Sequence, residues 1–130
     1  MADHPNAEVF RRGYTAFQSG DLETVRSLFA PDIVWNVAGH SRFAGAHRGP
    51  DEVLNLFMQN FQETNGTFRV DVHDILANDE HAVALATVSG ERKGKRLSDR
   101  YTHVVHLKDG KLTESWIFGE NQDVVDDFWS

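Results

Sequence analysis

No cysteine occurs in the chain, which excludes disulfides, thiolate nucleophiles and zinc held by sulfur. No apolar run approaches the ~20 residues that a membrane helix needs, and no apolar signal segment follows Met1, which predicts a cytoplasmic protein outside any membrane. Basic charge is scarce: 13 Lys and Arg against 20 Asp and Glu leave a formal net charge of -7. That total repels nucleic acid. The densest basic stretch, Arg92, Lys93, Lys95 and Arg96, surrounds Gly94 and reads as a solvated hairpin turn rather than a binding patch. A Gly-rich phosphate loop, a dinucleotide fingerprint and a Ser-His-Asp order are all missing. Repeats, linkers and low-complexity segments are missing too, so residues 1–130 read as one domain, large enough to bury a core without staples.

What is present is an ordered change of period. Asp3 or His4 can cap a first helix with Pro5 in its opening turn, where Val9, Phe10, Tyr14 and Phe17 recur at helical spacing up to Gly20. Asp21 caps a second helix with the stripe Leu22, Val25, Leu28 and Phe29, and Pro31 stops it. Ile33 to Val37 alternate as a strand. A glycine-rich loop from Gly39 to Gly49 then leads to Pro50, which opens a third helix carrying Val53, Leu54, Phe57, Met58 and Phe61.

From residue 64 the period becomes two. Asn65-Gly66, Asn78-Asp79, Lys93-Gly94 and Asp109-Gly110 are turn signals that divide the rest into strands Phe68 to Leu76, His81 to Glu91, Arg96 to Leu107 and Lys111 to Gly119. Asp123 to Trp129 forms a short tail that docks through Phe128 and Trp129. Helices followed by a run of strands give an α+β fold: a curved, mostly antiparallel sheet wrapped around the N-terminal helices, with a conical pocket between the layers.

Alternation assigns faces. Tyr101, His103, Val105 and Leu107 share one side of their strand, Ile33, Trp35 and Val37 face them, and Leu112, Glu114, Trp116 and Phe118 are expected on the same concave surface. The strand from His81 is apolar on both faces through Ala82 to Val88. Because antiparallel strands usually keep one wet side, its outer face predicts a homodimer through the convex face of the sheet.

The segments Tyr14-Thr-Ala-Phe-Gln-Ser-Gly-Asp-Leu, Leu28-Phe-Ala-Pro-Asp32, Gly45-Ala-His-Arg-Gly49 and Lys108-Asp-Gly-Lys-Leu112, with the Trp35 strand, resemble the nuclear transport factor 2-like superfamily. The similarity is greatest to its SnoaL-like and ketosteroid isomerase-related branch. That resemblance implies a cone-shaped pocket, and activities that range from isomerases, polyketide cyclases, dehydratases and epoxide hydrolases to non-catalytic binding modules. It places Val37 where related isomerases keep a carboxylate base, and His103 where they keep a protonated acid that holds an oxyanion. Their first-helix tyrosine matches Gly13, one residue before Tyr14. The acid-arginine-acid set of limonene-type epoxide hydrolases falls on Ala86 or Thr87 and on Phe118, so that chemistry is not expected. SnoaL-type cyclases resemble this chain in having a pocket histidine. They also use an acid on the last strand, for which Glu120 is the nearest candidate.

His103 is the leading chemical group, since a neutral imidazole both donates and accepts a proton and its pKa moves readily. The expectation is a cofactor-independent acid-base enzyme of isomerase, cyclase or dehydratase type acting on a small, largely apolar molecule. His103, Glu120 and Tyr14 would be its polar groups, and Trp35, Val37, Phe57, Tyr101, Trp116 and Phe118 its ligand surface. The rival is a non-catalytic binding module using the same cavity. His40 and Arg48 could gate the pocket, although solvated loop residues are the simpler reading. His103 and His106, three apart on a strand, point to opposite faces, and no metal site or cofactor is expected.

Overall fold

The computed structural model describes residues 4–130. The first helix, α1 (Pro5–Gln18), has His4 as its N-cap, its ring nitrogen accepting from the Asn6 amide, with Pro5 in the first turn. Asp3, the other expected cap, lies outside the described residues. Asp21 caps α2 (Leu22–Ser27) by accepting from the Thr24 amide. This helix is shorter than its apolar stripe suggests: Phe29 already begins β1 (Phe29–Val37), so Pro31 lies within a strand instead of ending a helix. The ladder between β1 and its parallel neighbour is irregular between Phe29 and Val34, as expected where a proline contributes no N–H.

The glycine-rich loop contains a strand that alternation had not revealed, β2 (Gly45–Arg48), paired antiparallel with β1. Then come α3 (Pro50–Glu63), β3 (Arg69–Ala77), β4 (His81–Arg92), β5 (Lys95–Lys108), β6 (Lys111–Gly119) and α4 (Gln122–Trp129). The sheet runs β2-β1-β6-β5-β4-β3, with β1 parallel to β6 and every other pair antiparallel. It is a curved, open sheet whose concave face is covered by helices. The hairpin of β5 and β6 turns on Asp109 and Gly110, with φ of 53° and 75°, the left-handed pair that a two-residue turn requires.

One strand departs from simple alternation. Leu107 pairs with Leu112 but His106 pairs with Glu114, so Thr113 is an extra residue in β6. A bulge of one residue moves every following side chain to the opposite face. Ser115 and Ile117 therefore point inward, while Trp116 and Phe118 point outward: Trp116 packs on His106 with ring centroids 4.9 Å apart, and Phe118 is 47% exposed. The expectation that Trp116 and Phe118 line the concave face is corrected by this bulge.

The tail expected from Asp123 to Trp129 is the helix α4, capped by Asn121. It is tied down by Arg92, a buried guanidinium that donates to the Phe128 and Ser130 carbonyls and pairs with Glu63 of α3. Phe128 and Trp129 are buried, and Trp129 stacks edge-on against Phe43. Thus α4 and the segment 38–44 close one end of the cone. Among the described residues no helix is long and apolar enough to cross a membrane.

The convex face leaves Val83, Leu85, Val104 and Trp116 half-buried, with Leu76 and Phe118 exposed. A contiguous apolar surface of this kind is expected to be covered by a second copy. Light scattering at micromolar concentration should give a dimer for the wild type and a monomer for Leu85→Asp, since a buried carboxylate without a partner opposes association. A monomeric wild type would overturn this expectation.

Candidate active site

The layers enclose a cavity of about 110 Å³. Its wall is aromatic: Phe10, Tyr14 and Phe17 from α1, Phe29 and Trp35 from β1, Phe57 from α3, Tyr101 and His103 from β5, and Trp129 from α4. Val37 lines it too. Among the described lining residues none is Asp, Glu, Lys or Arg, and the polar side chains are Tyr14, Ser41, Asn60, Tyr101, His103 and Gln122 together with the Trp35 and Trp129 indoles.

His103 is 1% exposed, held between the Phe10 and Trp35 rings at centroid distances of 4.8 and 4.7 Å. Both of its nitrogens are engaged. Nδ1 bonds the Tyr14 hydroxyl at 2.5 Å, and Nε2 bonds the Ser115 hydroxyl, itself fully buried. The Tyr101 phenol lies in hydrogen-bonding reach of Tyr14. Three elements thus assemble one buried chain of groups, Tyr101, Tyr14, His103 and Ser115. Tyr14 reaches it because Phe10, one turn earlier on α1, packs against the same imidazole.

Burial sets the charge state of each member. Desolvation pulls the His103 pKa down to about 3, so the ring is neutral across the physiological range. Burial pushes both phenols above their ordinary value; the neighbouring Tyr101 raises Tyr14 further, and the Tyr14 hydrogen bond partly offsets the rise at Tyr101. A neutral imidazole has one donor and one acceptor, so the chain has two polarities. Either Ser115 donates towards His103 and a phenol donates into the cavity, or the phenols donate towards His103 and the cavity end accepts. The same heavy atoms can therefore serve a ligand oxygen as donor or as acceptor.

The remaining sequence candidates separate in space. Tyr14, Trp35, Val37, Phe57, Tyr101 and His103 line one cavity. Glu120 does not: it follows Gly119 beyond the end of β6, its side chain is 64% exposed, and its nearest ionic partner is Arg100 at 4.0 Å. Its placement by parity with Phe118 carried over the register that the Thr113 bulge breaks. His40 is 97% exposed at its side chain and bonds Asp126 of α4 through its backbone amide, and Arg48 is exposed on β2. Ser41 and Phe43 of the same loop line the cavity instead, together with Gln122 and Val125 of α4. Sequence reasoning missed Ser115, Asn60 and Gln122. Ser115 was recoverable only by allowing a bulge after the Asp109-Gly110 turn, which would have placed the small polar residue opposite Val105 and beside His103. Among the described residues no group of three His, Asp or Glu side chains is placed to hold a metal ion.

Comparison with known proteins agrees with the fold. Over its full length the chain is 30% identical to an uncharacterized protein, Rv0034, of Mycobacterium tuberculosis, across 100% of both. Among solved structures, Bal32a from a soil-derived mobile gene cassette superposes with a TM-score of 0.94 at 34% identity, covering 97% of each chain. A protein of unknown function with a cystatin-like fold from Xanthomonas campestris gives 0.91 at 28% identity, covering 96% of this chain and 98% of the other. The family model of the SnoaL-like domain matches residues 10–115. That span covers most of the chain and every member of the buried set, so the protein belongs to the SnoaL-like domain family, with the nuclear transport factor 2-like fold.

Proposed function

We propose that the protein is a cofactor-independent acid-base enzyme of the isomerase, cyclase or dehydratase type, acting on a small, largely apolar molecule that presents an oxygen to Tyr14 and Tyr101. The observation that carries this reading is the hydrogen-bonded set Tyr14, His103 and Ser115, with the Tyr101 phenol beside Tyr14, at the wall of an apolar cavity. In a water-poor site, neutral phenols aimed at a carbonyl oxygen stabilise the negative charge that develops on enolisation, and low dielectric strengthens that contact.

The proton balance closes within the chain. In the polarity that runs from Tyr101 to His103, a proton leaving the substrate bonds to the Tyr101 oxygen, the Tyr101 proton passes to Tyr14, and the Tyr14 proton passes to Nδ1. The products are an imidazolium and a substrate anion held by a phenol. Reversal returns the proton, at the same or another substrate atom, and restores the neutral ring. The depressed pKa of His103 makes this imidazolium costly in the empty site; an anion beside it lowers that cost.

A second reading, a non-catalytic small-molecule carrier, is favoured by one specific observation: among the described lining residues there is no carboxylate, and the resemblance to related isomerases puts Val37 where they keep their base. Hydrogen–deuterium exchange at the acidic α-carbons of 2-indanone in D₂O, followed by NMR, separates the two. The enzyme reading expects exchange above the buffer rate, falling by about tenfold to a hundredfold in Tyr14→Phe. Binding of the ketone with exchange at the buffer rate would leave the carrier reading standing alone.

A further inference from the structure

We propose that the cavity contains a second polar subsite, in which the Trp35 indole N–H donates and the Asn60 side-chain oxygen accepts, so that the ligand carries a hydroxyl group besides the oxygen held by the phenols. This rests on the reading of the cavity as a small-molecule site and names the class of molecule it takes: a hydroxylated aromatic or cyclic ketone.

Trp35 Nε1 and Asn60 Oδ1 are buried, and neither has a hydrogen-bond partner among the described residues. Both residues line the same cavity. Trp35 is 6% exposed on the inward face of β1, and its indole nitrogen can only donate. The polar ring nearest to it, His103 at 4.7 Å between centroids, cannot accept this proton, because its two nitrogens are taken by Tyr14 and Ser115. The other rings against it, Phe29 and Phe57, carry no acceptor atom. Asn60 lies on α3, one turn beyond Phe57; its backbone carbonyl accepts from the Thr64 hydroxyl, while its side-chain oxygen receives nothing.

Buried groups left without partners are rare in folded proteins, and each one destabilises the fold. Phenylalanine at 35 and leucine at 60 would fill the same wall without that cost, so stability alone does not account for the polar atoms. A ligand does. An unpartnered donor and an unpartnered acceptor lining one cavity are both satisfied by a hydroxyl, which accepts and donates at once. The volume limits the frame that carries it: a cavity of about 110 Å³ is of the order that takes a single ring. Both oxygens therefore belong to one small ring system, one at the phenols and the other at the indole and amide. Such a site discriminates strongly against an analogue that lacks the hydroxyl, because binding it leaves the protein groups buried and still unpaired.

The test is calorimetric titration with acetophenone and its ortho, meta and para hydroxy derivatives. In the wild type at least one hydroxy isomer should bind about tenfold or more tightly than acetophenone, as one added hydrogen-bonded contact implies. In Asn60→Leu and in Trp35→Phe that ratio should fall below about threefold, whereas Tyr14→Phe should weaken every member of the series and leave the ratio in place. Asn60→Leu should also melt no lower than the wild type, since it removes an unsatisfied acceptor; it keeps the test decisive even if Trp35→Phe folds poorly. Binding of acetophenone with no preference for any hydroxy isomer, or a preference untouched in both subsite variants, overturns the second subsite alone. Absence of binding across the whole series overturns the small-ketone reading and the subsite with it.

Discussion

His103→Gln should lower catalysed exchange on 2-indanone by about a hundredfold or more, while the protein stays folded and becomes less sensitive to acid. The imidazole is fully buried between two hydroxyls. Removing it altogether, as in His103→Phe, deletes the buried hydrogen bonds that Ser115 and Tyr14 make to the ring, at about 1–3 kcal/mol apiece. Against the 5–15 kcal/mol typical of a domain, a total of roughly 2–6 is serious. From the sequence alone, phenylalanine is the natural replacement on an aromatic wall; the hydrogen bonds on both sides of the ring make glutamine the better one, because its amide still offers a donor and an acceptor. The acid response follows from the pKa. In the unfolded chain the group titrates near 6.5, and in the folded protein burial lowers it to about 3. Above the unfolded value the ring is neutral in both states and contributes nothing to the pH dependence. As the pH falls from there towards about 3, the unfolded chain takes up a proton that the folded one refuses, and stability drops by about 1.4 kcal/mol per pH unit. Between pH 7 and pH 5, urea denaturation should therefore show the wild type losing about 2 kcal/mol more than His103→Gln. Equal losses would mean that His103 is protonated in the folded protein and that the buried chain is wrongly described.

The reason alternation put His103 and Tyr101 on the concave face, where they stand, yet put Trp116, Phe118 and Glu120 there too, is local to one residue. Period-two alternation is reliable within an unbroken ladder, and β5 is unbroken opposite β4 from Lys95 to His106. β6 leaves its turn in register, inserts Thr113, and continues with its faces exchanged. A bulge has no hydrophobic signature of its own, because Thr113 is small, polar and β-branched, acceptable on either face. What specifies it is non-local: Leu112 bonds the carbonyl of Leu28 while the rest of β6 pairs with β1 beyond Pro31. β2 escaped notice for a different reason, since four residues, two of them Gly45 and Ala46, are too few and too small to show alternation. Tyr14 came into the site although the isomerase tyrosine matches Gly13, because a phenol is long enough to reach Nδ1 across the offset of one residue.

Val37→Asp should raise activity on strongly activated carbon acids above that of the wild type. Val37 lines the cavity and pairs with Ile117, which pairs in turn with His103, so the three stand abreast on adjacent strands β1, β6 and β5. At about 4.8 Å per strand the two outer positions are roughly 10 Å apart along the sheet, and inward side chains on a concave surface converge from there. A small ring fits between a carboxylate at 37 and the Tyr14–His103 pair, with the proton taken on one side and the developing oxyanion held on the other. Burying the carboxyl with imperfect partners should cost about 1–3 kcal/mol, which a domain of this size survives. The same desolvation raises its pKa and makes it a stronger base near neutrality. With a nitrobenzisoxazole as the carbon acid, the variant should exceed the wild type by about tenfold or more, and His103→Gln in the Val37→Asp background should remove much of the gain. Because Ser115 and Tyr14 fix the imidazole from opposite sides, that second loss reports on the assembled chain and not on the new carboxylate alone. A folded Val37→Asp variant with no gain on several activated carbon acids would show that position 37 and the phenols do not address one bound molecule, and the shared cavity would have to be given up as the site of proton transfer.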